Sequence, residues 1–452
     1  MPYEHDCTDI VIVGGGASGL AAAIELRMSS PELGVTVIEK MDRPGRKIRA
    51  TGSGRCNITN TSADHYIEIM KFFSRIGLVT KVYGNGLVYP HSESAADVAE
   101  LLISRAEELG VRIIAEAEVT HIARSGSDMN QTGKGTADNH RFRTEYCISS
   151  DHIQAKYDPG TRKTQGTRSS KKVISSDYVI LSCGGKAGPM FGTTGDGYRL
   201  ARELGHTIVT PVPVLTPIEC KEWDASHIPC GTLLAGTRTR GVVKLTRSPE
   251  YESGRGSEIF EEAGEIQFTK SGLSGICVFN MTRHMRYDRS KGESLSDFTV
   301  TADLYPDGDI EDFLRERRNN AFPGERSADV LRTVLKENIA EYVMRSVAVL
   351  HTHVNEKSVS ELTDSDIKAI ADSVHGLMFH PEKLRGWKDA QVTSGGVSLE
   401  EICPETCESL VSDGLYITGE LADRDFPCGG HNLSNAWITG LTAARAISRR
   451  QK

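Results

Sequence analysis

The sequence carries no surplus of positive charge and few aromatic residues. Lysine and arginine number 53 against 61 for aspartate and glutamate, the formal net charge is −8 at pH 7, and aromatic residues make up 6% of the chain. A chain without a basic surplus has no global positive field with which to attract nucleic acid or anionic lipid. We therefore expect neither nucleic acid nor a membrane among its partners.

Paired cysteines and a secretion signal are also lacking. The ten cysteines are scattered singly, without a C-x-x-C pair, which excludes a zinc ribbon and a disulfide scaffold, and we expect no metal site. The N-terminal stretch carries Glu4, Asp6 and Asp9 where a secretion signal would place positive charge, and glycines interrupt the apolar runs. These features predict a protein of the reducing cytoplasm. They leave its oligomeric state open.

Glycine, in contrast, is abundant. The chain of 452 residues contains 44 glycines, whereas glycine makes up about 7% of an average protein. This excess indicates backbone conformations that other residues tolerate poorly. At roughly 150 residues a domain, the length predicts two or three domains.

The first glycine cluster lies between a predicted strand and a predicted helix. The β-branched run over 9–13 predicts a buried strand, and Gly14-x-Gly16-x-x-Gly19 follows it directly, before an alanine-rich helical stretch. Gly14 permits the tight turn, Gly16 lets the backbone approach a pyrophosphate, and Gly19 lets the helix pack on the strand. A second strand ends at Glu39, whose carboxylate is placed to accept both hydroxyls of a ribose. The cofactor-binding candidates here are Gly14, Gly16, Ala17, Ser18, Gly19, Glu39 and Lys40.

The next segment, residues 43–60, favours a long anionic cofactor. FAD and NAD share the adenosine diphosphate that the glycine motif recognises, so that motif alone does not distinguish them. Residues 43–60 combine three glycines with several basic residues, and we expect an extended loop without a helix along the cofactor. A solvated basic loop is the alternative, which the buried-type residues Cys56 and Asn57 disfavour. The candidates in this segment are Arg46, Lys47, Gly52, Gly54, Arg55, Cys56 and Asn57.

A second strand-to-glycine turn follows the strand predicted over 178–181. Glycines cluster from 184 to 197, before a helix predicted from Tyr198. We expect the backbone of this turn to close over the cofactor, with Asp196 close to the start of the helix. The alternative is that Asp196 serves only as a helix cap. It lacks a G-x-G-x-x-G motif, so no separate nicotinamide domain is visible. The cofactor-binding candidates are Gly184, Gly185, Gly195 and Asp196, to which Val119 is added.

The last glycine turns lie near the C-terminus. A strand over 415–418 leads to Gly419 and Glu420, and we expect Glu420 to hydrogen-bond the ribityl chain of a flavin, an exposed strand end being the alternative. A final helix is predicted to begin near Asn435. Its positive N-terminal end would meet the electron-rich pyrimidine edge of a reduced flavin. The cofactor-binding candidates in this part of the chain are Gly419, Glu420, Gly430, Asn432 and Leu433.

Changes of composition divide the chain. They predict an α/β protein with a discontinuous Rossmann-like FAD-binding domain over 1–210 and 386–452, an inserted β-rich domain over 211–308 and a helical subdomain over 309–385. Prolines between 211 and 217 mark the first crossing, and apolar residues at helical spacing over 309–378 predict three helices. Polar residues dominate 149–172, where we expect a long mobile loop.

At these segments the chain resembles the BaiN-like FAD-binding oxidoreductases, a family also labelled aminoacetone-oxidase-type flavoproteins. The most specific stretch is Gly45-Arg-Lys-Ile followed by Ser-Gly-Arg-Cys-Asn-Ile-Thr-Asn over 53–60. Further matching motifs follow in the same order and spacing: Tyr89-Pro90, residues 268–275 and 393–397, Gly419-Glu420 and Gly429-Gly430. The resemblance covers nearly the full length. It implies FAD as cofactor, with NADH or NADPH as a transient reductant.

The resemblance also implies an activity. It indicates reduction of a conjugated C=C bond in a small apolar enone of the 3-oxo steroid or bile-acid type, with hydride passed from NAD(P)H through flavin N5. Such a reaction needs a hydrogen-bond donor for the carbonyl oxygen and a source of a proton. The catalytic candidates are His431, Tyr89 and Arg55.

Three alternatives stay open. An FAD oxidase of a small amine or aminoketone would consume oxygen and need no nicotinamide. The second alternative is a flavoprotein of another class, either one that acts on tRNA or a non-catalytic flavin electron-relay or sensor protein. The net charge of −8 disfavours the version that acts on tRNA. Among folds, the fumarate-reductase-like flavoproteins share the Thr-Gly-Asp-Gly turn, and their cap would supply an arginine acid catalyst, for which Arg283 is the candidate.

Overall fold

The computed structural model describes residues 6–125, 140–148, 170–221, 230–247, 257–287 and 293–451. The chain divides into two compact units, the first formed by Met1–Val212 with Val392–Lys452 and the second by Pro213–Gln391. The sequence-based division into 1–210 with 386–452, 211–308 and 309–385 stays a prediction.

Strands and helices alternate through most of the described chain. The strands are β1 (Asp6–Cys7), β2 (Ile10–Val13), β3 (Val35–Ile38), β4 (Thr59–Asn60), β5 (Thr80–Val82), β6 (Leu87–Pro90), β7 (Arg112–Ile114), β8 (Ala117–Arg124), β9 (Phe142–Ile148), β10 (Ser170–Ser176), β11 (Tyr178–Leu181), β12 (Ile208–Val214), β13 (Ile218–Cys220), β14 (Arg238–Arg247), β15 (Ser257–Phe268), β16 (Gly272–Ser274), β17 (Phe298–Asp303), β18 (Leu377–Phe379), β19 (Pro381–Leu384), β20 (Val392–Val397) and β21 (Leu415–Ile417). The α-helices are α1 (Ala17–Ser29), α2 (Arg46–Ala50), α3 (Tyr66–Arg75), α4 (Ala95–Glu108), α5 (Asp196–Glu203), α6 (Cys230–Leu234), α7 (Ile276–Thr282), α8 (Ile310–Asn319), α9 (Glu337–Leu350), α10 (Asp364–His375) and α11 (His431–Arg450).

A parallel sheet lies at the centre of the first unit. Its described strands pair in the order β21-β11-β2-β3-β7, all parallel. The strands β2, β3 and β11 are buried along their whole length, as is typical of parallel strands covered on both faces. The carboxyl ends of all five strands therefore lie at one edge of the sheet. This arrangement confirms the predicted α/β, Rossmann-like fold.

Helices α1 and α11 pack closely against each other in the first unit. A Cβ atom on Gly440 of α11 would lie 2.3 Å from the carbonyl oxygen of Ser18 in α1, so the approach requires glycine. Trp437 is fully buried, lies edge-on to Phe73 at 5.1 Å, and donates its indole N–H to the carbonyl oxygen of Ile58 at 3.0 Å. These contacts connect α11 to the segment that follows α2.

Smaller sheets complete the first unit. The described strands form a four-stranded sheet in the order β1-β10-β9-β8, a three-stranded antiparallel sheet in the order β4-β6-β5, and the pair β12-β20. Strand β8 begins beside the end of β3, where the main-chain N–H of Ala117 donates to the carbonyl oxygen of Glu39 at 2.9 Å. The small β4-β6-β5 sheet carries the end of the segment 43–60.

The second unit is built on an antiparallel sheet. Its described strands follow the order β18-β17-β14-β15-β16-β13-β19. One buried apolar cluster contains side chains from strands, such as Leu245 and Val300, and from helices, such as Leu314, Val343 and Ile370. Strands and helices of this unit therefore share one core. Helices α8, α9 and α10 are the three helices expected over 309–378, and no described helix of the chain is long and apolar enough to cross a membrane.

The expectation of a helix-free loop over 43–60 is wrong, because α2 lies within it. Gly45 precedes α2 in the left-handed conformation, with φ of 74°, and its carbonyl oxygen accepts the N–H of Arg49 at 3.2 Å. Ile48 is 1% exposed in the core of the first unit. The burial of this one side chain fixes a short helix that the surrounding glycines disfavour.

Two helix starts also differ from the prediction. Helix α11 begins at His431 and not near Asn435, because Gly430 turns the chain in the left-handed conformation with φ of 95°. Helix α5 begins at Asp196 and not at Tyr198, after another left-handed glycine. Of the loop predicted over 149–172, residues 149–169 lie outside the described residues, while residues 170–172 belong to β10.

Asp366 is a buried carboxylate at the start of α10. It accepts hydrogen bonds from the Lys357 ammonium at 2.7 Å and from the Thr363 main-chain N–H and hydroxyl at 2.9 and 2.7 Å. Burial raises the pKa of this carboxyl, but these donors outweigh burial and lower the pKa to about 2. The ionised group therefore stabilises the folded unit above the unfolded-state pKa of about 3.9, and this contribution is lost as the pH falls towards 2.

We expect Asp366→Asn to destabilise the region around α10 by about 2 kcal/mol at pH 7. Hydrogen exchange of peptides covering 357–375, followed by mass spectrometry, measures this local free energy. The difference from the wild type should shrink as the pH falls from about 4 towards 2, since the wild-type carboxyl is then protonated. Asp364→Asn changes an exposed carboxylate of the same helix start and should cost less than about 1 kcal/mol; equal effects of the two substitutions would contradict the assignment.

Candidate dinucleotide-binding site

The turn after β2 leaves the start of α1 open. Gly14 is left-handed with φ of 101°, and a Cβ atom on Gly19 would lie 2.0 Å from the carbonyl oxygen of Gly14. The N–H groups of Gly16, Ala17 and Ser18 donate to no described residue, and the first turn of α1 contains no acidic side chain. Apart from its neighbours in the chain and the backbone of α1, a Cβ atom on Gly16 would meet no described residue within 4 Å. Free N–H groups and the positive helix end thus face open space, an arrangement suited to a pyrophosphate.

Glu39 stands at the carboxyl end of β3, beside this turn. Its Oε2 accepts the N–H of Gly15 and its Oε1 the N–H of Met41, each at 2.8 Å. Burial raises the pKa of the Glu39 carboxyl, and these two N–H donors oppose that effect. Each oxygen keeps a further lone pair for a ribose hydroxyl. The predicted residue Val119 is buried on β8, whose first residue Ala117 donates to the main chain of Glu39.

Lys40 contacts the glycine turn over residues 184–197. Its ammonium forms an ion pair with Asp196 and donates to the hydroxyl of Thr194 at 2.7 Å. Asp196 is the first residue of α5, which has Gly195 as its N-cap and no side-chain capping hydrogen bond. The structure therefore shows Asp196 as the partner of Lys40 and not as a helix cap.

Glu420 contacts helix α2 and strand β20, and strand β20 in turn contacts the glycine turn after β11. Its Oε2 lies 2.8 Å from the Lys47 ammonium, and its Oε1 accepts the N–H of Thr393 at 2.8 Å. The hydroxyl of Thr393 in turn accepts the N–H of Lys186 at 2.7 Å. A Cβ atom on Gly185 would lie 2.5 Å from Glu420 Oε1, so this contact requires glycine. Thr393 was missed as a site residue from the sequence, where its only signal is the motif over 393–397.

The loop after α2 adopts an unusual backbone. Gly52, Ser53, Gly54 and Cys56 are left-handed, with φ of 56°, 56°, 85° and 58°. Non-glycine residues rarely adopt this conformation, and they concentrate at functional sites. Cys56 is fully buried, and burial raises the pKa of its thiol to about 11. This cysteine is therefore a packed thiol and not a thiolate nucleophile.

Asn57 and the start of α11 lie together and leave polar groups unpaired. Asn57 is 9% exposed, and its Oδ1 has no hydrogen-bond partner among the described residues. A Cβ atom on Gly430 would lie 3.1 Å from Asn57 Nδ2. Helix α11 begins without a side-chain cap and without an acidic residue in its first turn. An orphaned acceptor and an open helix start fit the N–H and O–H donors and the electron-rich edge of a flavin.

The three catalytic candidates lie on neighbouring elements. The Arg55 guanidinium stacks over the ring of Tyr89 at 4.9 Å from its centroid. Tyr89 is 6% exposed on β6, and its hydroxyl makes no hydrogen bond to a described residue. Strand β4 pairs with β6, and its residue Asn60 donates to the carbonyl oxygen of Gly429, two residues before His431, at 3.2 Å. The arginine, the tyrosine and the start of α11 therefore belong to one corner of the first unit.

Several side chains that the sequence predicts at the site contact other parts of the protein. Arg46 forms a partly exposed ion pair with Asp42 at 3.1 Å. The Asn432 side-chain amide bridges the loop before α11. Its oxygen accepts the main-chain N–H of Phe426 at 3.0 Å, and its nitrogen donates to the carbonyl oxygen of Phe426 at 2.7 Å. Leu433 packs against the core of the first unit. Arg283 follows α7 in the second unit.

These features define a dinucleotide-binding Rossmann protein whose site fits FAD. The HI0933-like protein Rossmann domain family matches residues 8–68 and 141–446, and the chain belongs to this family. The match confirms the family resemblance found in the sequence. The protein is an FAD-dependent oxidoreductase.

Relatives of known name cover nearly the whole chain. The 3-dehydro-bile acid delta(4,6)-reductase of Clostridium scindens is 32% identical, over 98% of this chain and 99% of that protein. A ribosomal RNA dihydrouridine synthase of Haemophilus influenzae is 24% identical, over 97% of this chain and 98% of that protein. Among solved structures, the 3-ketosteroid-delta4-(5alpha)-dehydrogenase from Rhodococcus jostii RHA1 has a TM-score of 0.46 and 11% identity, over 99% of this chain and 98% of that chain.

Gly16→Val should abolish FAD binding without unfolding the protein. Gly16 has φ of −80° and ψ of −163°, which valine adopts, and the substitution adds no clash because a Cβ atom here lies more than 4 Å from the other described residues outside α1 and the chain neighbours. The valine side chain would instead fill the space before the free N–H groups of α1, so we expect less than about a tenth of the wild-type FAD content. Flavin absorbance per protein and the circular dichroism melting curve measure the two effects.

Gly386→Val is the matched control for this substitution. A Cβ atom on Gly386 likewise meets no described residue within 4 Å apart from its chain neighbours, and Gly386 lies in the second unit. This variant should keep its flavin. A folded Gly16→Val protein with stoichiometric FAD would show that the pyrophosphate does not bind at the start of α1.

Proposed function

We propose that the protein reduces a C=C bond conjugated to a carbonyl group in a small apolar substrate of the 3-oxo steroid or bile-acid type, using NADH or NADPH as reductant. In this reaction FAD would carry the hydride at its N5 atom. The observation that carries the proposal concerns the buried Tyr89. Its ring lies under the Arg55 guanidinium, and its hydroxyl makes no hydrogen bond to a described residue. The substrate class is supported by the Clostridium scindens reductase, 32% identical over 98% of this chain.

In this proposal Tyr89 and Arg55 donate hydrogen bonds to the carbonyl oxygen of the substrate. Hydride transfer to the β-carbon of an enone leaves negative charge on that oxygen, and donors already fixed in place lower the barrier. The Tyr89 hydroxyl is available because no described residue accepts its proton, whereas the neighbouring Tyr83 donates its hydroxyl to Glu93. The Arg55 guanidinium, which stacks over the Tyr89 ring, provides further N–H donors close to the same hydroxyl.

His431 supplies the proton that the α-carbon requires. It is the first residue of α11, a helix of 20 residues. The start of α11 lies in the same corner of the first unit as Arg55 and Tyr89, and an imidazole is a common general acid in enzymes. The order of events is therefore charge stabilisation by Tyr89 and Arg55, followed by protonation from His431.

Reduction of the uracil ring in RNA is the second candidate function. The C5=C6 bond of uracil is conjugated to the C4 carbonyl, so it presents the same electron demand as an enone. This candidate is favoured by the Haemophilus influenzae relative, named a ribosomal RNA dihydrouridine synthase and 24% identical over 97% of this chain. The formal net charge of −8 disfavours a polyanionic substrate.

We place the reaction in the cytoplasm. The nine cysteines whose side chains are described form no disulfide bond with one another. A reducing compartment keeps thiols in this state. NADH and NADPH are available in the same compartment.

Anaerobic stopped-flow spectroscopy tests the substrate class. The holoenzyme is reduced with NADH or NADPH and mixed with a 3-oxo-Δ4 bile acid, with a uridine-containing ribosomal RNA fragment, or with air. We expect the bile acid to restore the oxidised flavin spectrum fastest and to gain two hydrogen atoms. Faster reoxidation by the RNA fragment would establish the second candidate. Reoxidation by air alone would establish the oxidase alternative and overturn both reductase functions.

Tyr89→Phe should lower kcat for enone reduction by about 100-fold, since a single donor to a developing oxyanion contributes about that factor. The FAD content should stay unchanged, because the substitution removes only the hydroxyl. Tyr83→Phe is the matched control: its ring lies edge-on to Tyr89 at 5.4 Å, but its hydroxyl binds Glu93. We expect this variant to keep kcat within about threefold of the wild type. Equal rates in the two variants would remove Tyr89 from the mechanism.

A further inference from the structure

A small cavity lies beside strand β21 in the first unit. It has a volume of about 180 Å³ and a mainly apolar lining that includes Leu399, Ile402 and Ile417. An apolar cavity of about 150 Å³ is large enough to hold benzene, whereas sites for drug-sized ligands begin near 300 Å³. The cavity is therefore suited to a fragment-sized ligand and is too small for a steroid nucleus.

Asn435 presents an unpaired amide in the wall of this cavity. The residue is 7% exposed, and its side chain forms no hydrogen bond with a described residue. The adjacent Thr439 is satisfied, because its hydroxyl accepts the N–H of Gly419 at 2.9 Å and donates to the carbonyl oxygen of Asn435 at 2.6 Å. An amide that lines a cavity and has no described protein partner can hydrogen-bond a ligand through both its N–H and its oxygen. Asn435 is therefore the polar group in the wall that a ligand would satisfy.

Arg424 supplies charge to the same lining. The residue is exposed, and within the described part of the chain its guanidinium forms neither an ion pair nor a hydrogen bond. A guanidinium binds a carboxylate through two parallel N–H donors. Arg424 and Asn435 thus combine a cation and an amide donor around an apolar space.

We propose that this cavity binds a small carboxylate whose apolar body is about the size of a benzene ring. The carboxylate pairs with Arg424 and accepts the Asn435 amide N–H, while the apolar body packs against Ile402 and Ile417. Gly419 also lines the cavity and directly precedes Glu420, which holds Lys47 and Thr393. The ligand therefore lies next to the residue that pairs with Lys47 and Thr393.

Isothermal titration of the holoprotein with benzoate tests the proposal without any assay of activity. We expect saturable binding with Kd of about 1 mM or tighter, and binding about tenfold weaker for the uncharged benzyl alcohol. Arg424→Gln should weaken benzoate binding about tenfold, because it removes the charged donor. Arg449→Gln, which changes an exposed arginine at the end of α11, is the matched control and should leave Kd unchanged.

A second measurement locates the ligand. Cys403 lines the cavity and is partly exposed, so bound benzoate should slow its alkylation by iodoacetamide, as measured by peptide mass spectrometry. Ile402→Phe should fill the cavity and abolish benzoate binding while FAD stays bound. Absence of saturable binding, equal affinity in Arg424→Gln and wild type, or undiminished binding in Ile402→Phe would each overturn the proposal.

Discussion

Two backbone contacts that only glycine permits hold the dinucleotide site together. A Cβ atom would lie 2.0 Å from a carbonyl oxygen at Gly19 and 2.3 Å from one at Gly440. The first contact sets α1 against the turn after β2, and the second sets α11 against α1. The open starts of both helices therefore have positions fixed by packing. Donors fixed before a ligand arrives cost little reorganisation on binding.

The parallel sheet determines which residues meet these helices. Gly14, Glu39, Gly184 and Gly419 follow β2, β3, β11 and β21, and parallel strands bring their carboxyl ends to one edge. The hydroxyls of Ser182 and Thr418 lie 3.0 Å apart, although 236 positions separate them in the chain. A site assembled in this way requires the chain to return to the first unit after it has passed through the second.

The sequence predicted those parts of the site whose signals are local. A strand, a glycine turn and a helix occupy neighbouring positions, so Gly14 and Glu39 could be assigned without a structure. The Lys40–Asp196 and Lys47–Glu420 pairs join residues 156 and 373 positions apart, and no local pattern specifies such partners. Helix α2 escaped prediction for a related reason: the burial of Ile48 against distant residues outweighs the local preference for a loop.

The ion pairs also show how a chain of net charge −8 can hold an anionic cofactor. Lys40 and Lys47 are already matched by Asp196 and Glu420, and Arg46 is matched by Asp42. The positive potential for a pyrophosphate therefore comes chiefly from the N–H groups at the start of α1, not from free cations. Backbone N–H groups do not titrate and lose no side-chain entropy on binding. Binding of a single pyrophosphate therefore depends on the local field at this helix start, whereas a long polyanion would also meet the negative charge of the rest of the chain.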